Sequence, residues 1–159
     1  MKTQIIRQTS LGIIRIEETD GAISALSFAL PTELRQSRDS ATPLLEEAFT
    51  QLLEYLEKKR KEFTIPLAPE GTDFNVEVWN EISKIPYGST ATYGELAKQI
   101  GRPKAFRATG TACGRNPVAV FIPCHRVVPA NFVSENIKTY GGYYWGVSVK
   151  EKLLNLEGI

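Results

Sequence analysis

Three short runs near the amino terminus, Gln4 to Arg7, Gly12 to Glu17 and Ala22 to Phe28, are rich in isoleucine and other apolar residues. Thr9-Ser10 and Asp20-Gly21 separate them. β-Branched residues suit a pleated surface, and Asp-Gly supplies the positive-φ positions of a tight hairpin, so the pattern predicts three antiparallel strands. From Pro43 to Lys59 the period changes. Leu44, Leu45, Phe49, Leu52, Leu53 and Leu56 recur at helical spacing and Lys58 to Lys61 close the run with charge, which predicts an amphipathic helix covering one face of the sheet.

The stretch from Phe63 to Thr72 holds two prolines and a glycine and reads as a linker, dividing the chain into a unit over 1–70 and a second over 71–159. Asp73 is placed to cap a helix running to about Lys84, with Phe74, Val78, Trp79 and Ile82 as its apolar stripe. Pro86-Tyr87-Gly88 ends it. Thr92 and Glu95 have capping-box spacing and predict a short helix through about Ile100. Gly101-Arg102-Pro103 then makes a turn, and a second helix is expected from near Lys104 to about Cys113. Two short helices about a glycine turn, with basic residues around the second, form a helix-turn-helix pattern. Ala105, Ala108, Gly110 and Ala112 leave the second helix with little bulk, and Arg107 is its one long cation. Small residues allow close approach to a nucleic-acid backbone, with Lys104 and Arg115 as flanking phosphate contacts; they equally suit tight packing inside a core. The run from Val118 to Ile122 is too short for a helix, and Lys150 to Leu156 reads as a closing helix with Glu157 near its end.

A chain of 159 residues, 42% hydrophobic and 23% charged, has an ordinary globular balance, which excludes disorder, collagen and coiled coil. No apolar run reaches the roughly 20 residues of a membrane span and the amino terminus lacks a signal-peptide pattern, so a cytoplasmic protein without a membrane partner is expected. Two cysteines eleven positions apart and a single histidine match no zinc pattern, so no metal is expected; a Cys113–Cys124 disulfide is not expected either. Net charge is only +1, but residues 1–72 carry −2 and residues 73–159 carry +3. That asymmetry hints at a polyanion partner for the carboxyl half, although a solvated face gives the same signal.

The chemistry concentrates in Ile122-Pro123-Cys124-His125-Arg126-Val127-Val128, which sets the only histidine beside one of the two cysteines. From Leu96 to Ser134 there is no Asp or Glu, whereas Lys98, Arg102, Lys104, Arg107, Arg115 and Arg126 all fall there. A thiolate, unlike a thiol, is a strong nucleophile, and a base or a positive field favours it. Most free cysteines are inert packing; adjacency to the sole histidine is what makes Cys124 a candidate. A Cys-His hydrolase is the alternative enzyme class, but its nucleophile and base usually come from distant positions and need an oxyanion hole, for which no donor motif is visible.

Taken together, Asp73-Phe74 through Trp79, Ile85-Pro86-Tyr87-Gly88, Thr92-Tyr93-Gly94-Glu95-Leu96-Ala97, Arg107-Ala108-Thr109-Gly110, Asn116-Pro117, the Pro123-Cys124-His125-Arg126-Val127 core and Lys150 to Gly158 resemble the O6-alkylguanine-DNA alkyltransferases. The resemblance runs in order from about Gly71 to Gly158; the first third shares only the β-then-α plan. It implies an α+β fold, with a small antiparallel sheet and helix of ribonuclease-H-like plan followed by a mainly helical unit carrying the helix-turn-helix. It further implies direct-reversal repair of DNA, in which a cysteine takes the alkyl group irreversibly, once per molecule, with no cofactor.

In that family pattern Cys124 stands at the nucleophile, His125 at the residue that takes its proton through a water, and Glu157 at the carboxylate orienting the imidazole. Tyr93 falls where a ring crowds the phosphate beside the lesion and a hydroxyl can donate to the departing base. Arg107 matches the side chain inserted where the extruded guanine had been, and Ala105 and Ala108 the small face that enters the minor groove. Asn116 matches the hinge to the active-site loop. The implied substrate pocket includes Asn116, Ala119, Val127, Tyr143, Tyr144 and Trp145. Trp145 stands where many members have glycine, Ala119 where some have proline, and the chain is longer than short members between Val128 and Lys150, including Phe132 to Thr139. The implied partner is duplex DNA carrying O6-alkylguanine, with O4-alkylthymine a second candidate lesion, met by a monomer. The alternative within the same fold is a non-catalytic alkyltransferase-like damage-binding protein, which keeps the arginine and replaces the cysteine; the presence of Cys124 argues against it.

Overall fold

A computed structural model describes residues 1–134 and 137–159 of the chain; two positions of the expected Phe132 to Thr139 insertion, 135 and 136, lie outside them. The chain divides into two compact units, Met1–Glu70 with Pro117–Phe121, and Gly71–Asn116 with Ile122–Ile159.

In the first unit, β1 (Lys2–Thr9), β2 (Gly12–Thr19) and β3 (Ala22–Phe28) form an antiparallel sheet in the order β1-β2-β3. The hairpin between β2 and β3 turns on Asp20 and Gly21 with φ of 50° and 85°, the left-handed pair a tight turn requires. Ile5 lies opposite Ile16 and Ile16 opposite Leu26, so one face presents a continuous apolar row. The register shifts at Glu17/Glu18, which lets Ile23 and Leu26, three positions apart, both be fully buried. A short helix, α1 (Pro31–Gln36), not anticipated from the sequence, follows. Next comes α2 (Pro43–Leu56), whose Leu45, Ala48, Leu52 and Tyr55 are buried and which packs against all three strands. It stops before the expected Lys59. Lys58 turns left-handed at φ 63° and the Lys59 amide closes back on the Glu54 carbonyl at 2.8 Å.

The segment from Pro117 adds to this sheet: the Leu26 amide donates to the Pro117 carbonyl at 3.0 Å and the Ala119 amide to the Leu26 carbonyl at 3.2 Å. Val120 is held at φ 68°, a conformation that costs a β-branched residue about 1–3 kcal/mol and persists only where its surroundings over-determine it. Val118 to Ile122 are each at most 4% exposed, which supplies that constraint.

The second unit begins with α3 (Asp73–Ile82). Its cap is Thr72, whose hydroxyl accepts from the Asn75 amide at 3.2 Å, and not Asp73, which sits in the first turn and suits the positive end of the helix. A Cβ on Gly71 would fall 2.4 Å from the Trp79 ring, so that ring can fold back over the cap only because residue 71 is glycine. The helix-turn-helix is present as α4 (Tyr93–Gln99) and α5 (Phe106–Gly114), joined through Gly101 at φ 76°. The capping box at α4 forms as expected: Thr92 Oγ1 accepts from the Glu95 amide at 3.1 Å, and the Glu95 carboxylate accepts from the Thr92 amide at 3.3 Å. α5 starts later than the pattern suggests, because Pro103 holds Arg102 to Ala105 in a turn, so Lys104 precedes the helix and Ala105 is its cap. Trp79 Nε1 donates to the Ala112 carbonyl at 2.9 Å and ties α3 to α5.

Two two-stranded pairs, too short to show in the hydrophobic pattern, complete the described chain: β4 (Ala91–Thr92) runs parallel to β5 (Val127–Val128), and β6 (Val133–Ser134) antiparallel to β7 (Ile137–Lys138). α6 (Val147–Leu156) begins three residues before the expected Lys150. It ends with Gly158 at φ 86° and the Ile159 amide on the Leu154 carbonyl at 3.0 Å, a left-handed closure that makes Glu157 the last cap. No helix among the described residues is long and apolar enough to cross a membrane.

Candidate active site

Pro123 bends the chain into a single 3-10 turn, Cys124–Arg126, which leads directly into β5. Because β5 pairs with β4, and β4 ends on the Thr92 cap of α4, the turn carrying the cysteine is tied to the start of the helix-turn-helix. Asn116, just past the end of α5, fastens the other side: its Nδ2 donates to the Ile122 carbonyl at 2.9 Å and to Cys124 Sγ at 3.1 Å. The two cysteines are both free thiols.

Behind the thiol lies a buried ionic cluster. His125 Nε2 and Glu157 Oε2 are 2.7 Å apart with both side chains fully buried. Arg126 donates to the same carboxylate through Nε at 2.8 Å and Nη2 at 3.1 Å, and through Nη1 to the Ile85 carbonyl at 2.7 Å. The Gly88 amide adds a bond to Glu157 Oε1 at 3.0 Å. A carboxylate at a helix carboxyl end faces the negative end of the helix dipole, so this placement needs the compensation the cluster provides. Burial pushes the Glu157 carboxyl up, but the bonds from His125 and Arg126 outweigh it and hold it at about 2. Burial also pushes the His125 pKa down, against the pull of Glu157, so the imidazole is neutral near pH 7. With a charged carboxylate on Nε2, the proton resides there and Nδ1 becomes the basic nitrogen.

The thiol opens into a cavity of about 220 Å³ lined by Tyr93, Gly110, Cys113, Cys124, Tyr143 and Tyr144, among others. Burial raises the Cys124 pKa, while the Asn116 bond, the Lys150 charge and the Tyr143 hydroxyl pull it down. Lys150 is fully buried on α6. Its ammonium donates to the Val127 carbonyl at 2.7 Å and the Gly142 carbonyl at 3.2 Å, and burial lowers its pKa to about 8 against the influence of the two thiols. The Tyr143 hydroxyl is buried and faces the sulfur without a well-formed hydrogen bond among the described residues, and burial raises its pKa well above the usual range. Burial, with the neighbouring thiols, pushes Tyr93 up to about 12, so its hydroxyl keeps its proton at neutral pH. The site is thus a protonated thiol beside a neutral base, with a cation and two phenolic donors around it, which is the arrangement of an activated sulfur nucleophile. Among the described residues no group of His, Cys, Asp and Glu is placed to hold a metal ion.

Comparison with known proteins covers both units of the chain. The profile of the 6-O-methylguanine DNA methyltransferase DNA binding domain matches residues 73–159, and that of the same family's ribonuclease-like domain matches residues 4–69. The chain belongs to the O6-alkylguanine-DNA alkyltransferase family, the methylated-DNA–protein-cysteine methyltransferases. It is 36% identical to the constitutive methylated-DNA–protein-cysteine methyltransferase of Bacillus subtilis, over 96% of this chain and 93% of that one. A methyltransferase of the same name from Methanosarcina acetivorans is 52% identical over 70% of this chain and 68% of its own. The crystal structure of the Mycobacterium tuberculosis O6-methylguanine methyltransferase superposes with a TM-score of 0.81 at 33% identity, covering 99% of this chain and 93% of that one. The crystal structure of Mycobacterium tuberculosis OGT in complex with DNA gives 0.81 at 34% identity, over 98% and 91%.

Of the residues singled out in sequence, the alkyltransferase fold brings Cys124, Tyr93, Tyr143 and Tyr144 to one cavity and sets His125 and Glu157 together behind it. Asn116 touches the sulfur directly, a contact stronger than a hinge role alone implies. Lys104, Arg107, Ala108 and Arg115 are exposed, and Ala105 is half-buried at the cap of α5. Four expected pocket residues do not line the cavity: Asn116 acts from outside it through its bond to the Cys124 sulfur, and the other three are turned elsewhere. Val127 is fully buried in β5; Trp145 packs edge-on against Tyr144 at 4.7 Å; Ala119 is buried in the first unit. The physical reason for Val127 is strand pairing, which turns its side chain into the core. Lys150, Arg126 and Cys113 were missed as site residues. For Lys150 a signal existed, a lysine at the apolar spacing of Val147, Leu153 and Leu154, but such a lysine usually reaches to solvent.

Proposed function

We propose that Cys124 removes the alkyl group from O6 of a guanine extruded from duplex DNA, within the direct-reversal repair its family performs. The observation that carries the assignment is the Asn116-clasped Cys124 thiol opening into a cavity, followed by a neutral His125 whose Nε2 is held by Glu157. The thiol proton passes to His125 Nδ1, directly or through a water. The sulfur then forms a bond to the alkyl carbon as the bond from that carbon to O6 breaks. The electron pair leaves on the base, which takes a proton from Tyr93, and the products are S-alkylcysteine and guanine. Lys150 and the Tyr143 hydroxyl favour the thiolate as it forms. Among the described residues of the site none is placed to cleave a thioether, which supports one reaction per molecule.

DNA is held by the exposed cations around α5, with Arg107 filling the space vacated by the base. The reacting groups all come from one chain, which suits a monomer, and two unpaired thiols suit the reducing cytoplasm. The test is intact mass after incubation with a duplex oligonucleotide containing O6-methylguanine. One methyl per molecule, mapped to Cys124 and absent in Cys124→Ala, is expected. Methylation persisting in Cys124→Ala, or product exceeding one equivalent per protein, overturns the assignment.

A further inference from the structure

Phe106 is the first residue of α5 and is 50% exposed; with Tyr144 it is one of two largely exposed aromatic rings among the described residues. A single exposed ring is ordinary on a protein surface, and its place on the helix is what distinguishes this one. Gly110, Cys113 and Gly114 of α5 line the active-site cavity. Phe106 lies four residues before Gly110 and Arg107 three, so the two side chains bracket the Gly110 face of the helix, one turn nearer its amino end. The Arg107 guanidinium sits 6.0 Å from the centre of the Phe106 ring. On the same helix-turn-helix Lys98, Arg102, Lys104 and Arg115 are exposed, and no acidic residue occurs in the sequence from Leu96 to Ser134.

We infer that Phe106 is a second wedge residue: on duplex DNA its ring stacks on the base bordering the gap that Arg107 enters, and so holds the target nucleotide outside the helix. The inference rests on the proposed function and deepens it. A cationic surface brings the helix to the phosphates, which supplies affinity without opening the duplex. Opening it requires replacing lost base stacking, and a flat apolar ring does this better than a charged chain alone; apolar wedges between base steps are the general solution to that cost. Arg107, already over the ring, is presented as its partner, with a charge for the exposed base edges and a plane that follows the ring into the stack.

The experiment compares single-turnover methyl transfer by wild type, Phe106→Ala and Phe106→Trp on duplex and on single-stranded oligonucleotides carrying O6-methylguanine. A second duplex carries 2-aminopurine beside the lesion as a fluorescent report of unstacking. A lost base–aromatic stack lowers the duplex rate of Phe106→Ala about tenfold, leaves the single-stranded rate within about twofold, and weakens docking to undamaged duplex little. Phe106→Trp restores the duplex rate, and the 2-aminopurine beside the lesion brightens on binding of wild type, as its stack with the lesion is broken, but stays at its free-duplex intensity with Phe106→Ala. An unchanged duplex-to-single-strand ratio in Phe106→Ala overturns the inference. So does an equal fall on both substrates, which would mark the ring as a structural support of α5. Absence of methyl transfer by wild type on either substrate overturns the proposed function itself, and this inference with it.

Discussion

Replacing Glu157 by glutamine keeps the size of the side chain and removes its charge, and the cost is set by the cluster around it. The carboxylate accepts from His125, twice from Arg126 and once from Gly88. Glutamine can keep one acceptor oxygen, for Gly88 and Arg126 Nε, but must turn its NH2 toward His125 Nε2 and Arg126 Nη2. His125 Nε2 then has to accept a proton-bearing group, so the imidazole proton moves to Nδ1, the nitrogen that should receive the thiol proton. General base catalysis contributes about 10²–10⁴-fold, so Glu157→Gln is expected to slow methyl transfer at pH 7 by at least about 100-fold. Arg126, 6% exposed, loses its counter-charge, and breaking a buried pair on one side costs about 3–5 kcal/mol of stability.

The two effects separate by pH. Glu157 has its folded pKa lowered from 4.5 to about 2. Its contribution is therefore present above about pH 4.5 and is lost as pH falls through 2, and a shift of that size corresponds to about 3 kcal/mol. Denaturant unfolding of wild type across that window should show the loss, and Glu157→Gln should lack that share of the slope. Transfer is read by rapid quench with protein in excess over O6-methylguanine oligonucleotide. A Glu157→Gln variant that transfers at the wild-type rate, or one as pH-sensitive in stability as wild type between pH 2 and 4.5, refutes the assigned coupling of Glu157 to His125.

Lys150→Met removes the buried charge near both thiols, so the transfer rate should fall about tenfold, the equivalent of one pKa unit of thiolate stabilisation. Its stability should change by less than about 2 kcal/mol, because the relief of a buried ammonium offsets the donors lost to Val127 and Gly142. Wild-type transfer should decline as pH rises through about 8, where the ammonium loses its proton, and an identical alkaline limb in Lys150→Met would sink the idea. Tyr93→Phe withdraws the proton intended for the leaving base and should slow transfer at least tenfold under saturating protein, with unfolding stability within about 1 kcal/mol of wild type; an unchanged saturated rate assigns the proton to another donor.

How much of this molecule is legible in its sequence depends on distance along the chain. The strands, the helix-turn-helix and the Thr92 capping box are written in neighbouring residues, as period two, period 3.6 and a four-residue motif. Cys124 and His125 are legible for the same reason. The ends of elements are less so, because they depend on which backbone groups close the last turn: Lys58 closes α2 in a left-handed conformation that no propensity assigns to lysine, and Thr72 captures the cap beside an equally plausible Asp73. Glu157 lies 32 residues from His125, and its pairing could be reached in sequence only through resemblance to a family.

Arg126 shows why such a cluster escapes sequence reading even when every residue in it is visible. Next to a cysteine proposed as the nucleophile, a cation invites the interpretation that it lowers the thiol pKa. Folding turns it the other way, onto Glu157 and the Ile85 carbonyl, and the cation that acts on the sulfur is Lys150 from α6. The exchange has a chemical logic. A guanidinium fork binds one carboxylate in two places and so fixes the orientation that His125 needs. A lysine held, among the described residues, by two carbonyls and no carboxylate keeps its charge available to the thiolate as it forms. The fold therefore gives the carboxylate to the arginine and the sulfur to the lysine. This division predicts that exchanging the two cations by Arg126→Lys with Lys150→Arg damages transfer more than either Glu157→Asp or a conservative change on the exposed face of α5, since it misplaces both the base and the counter-charge in one step.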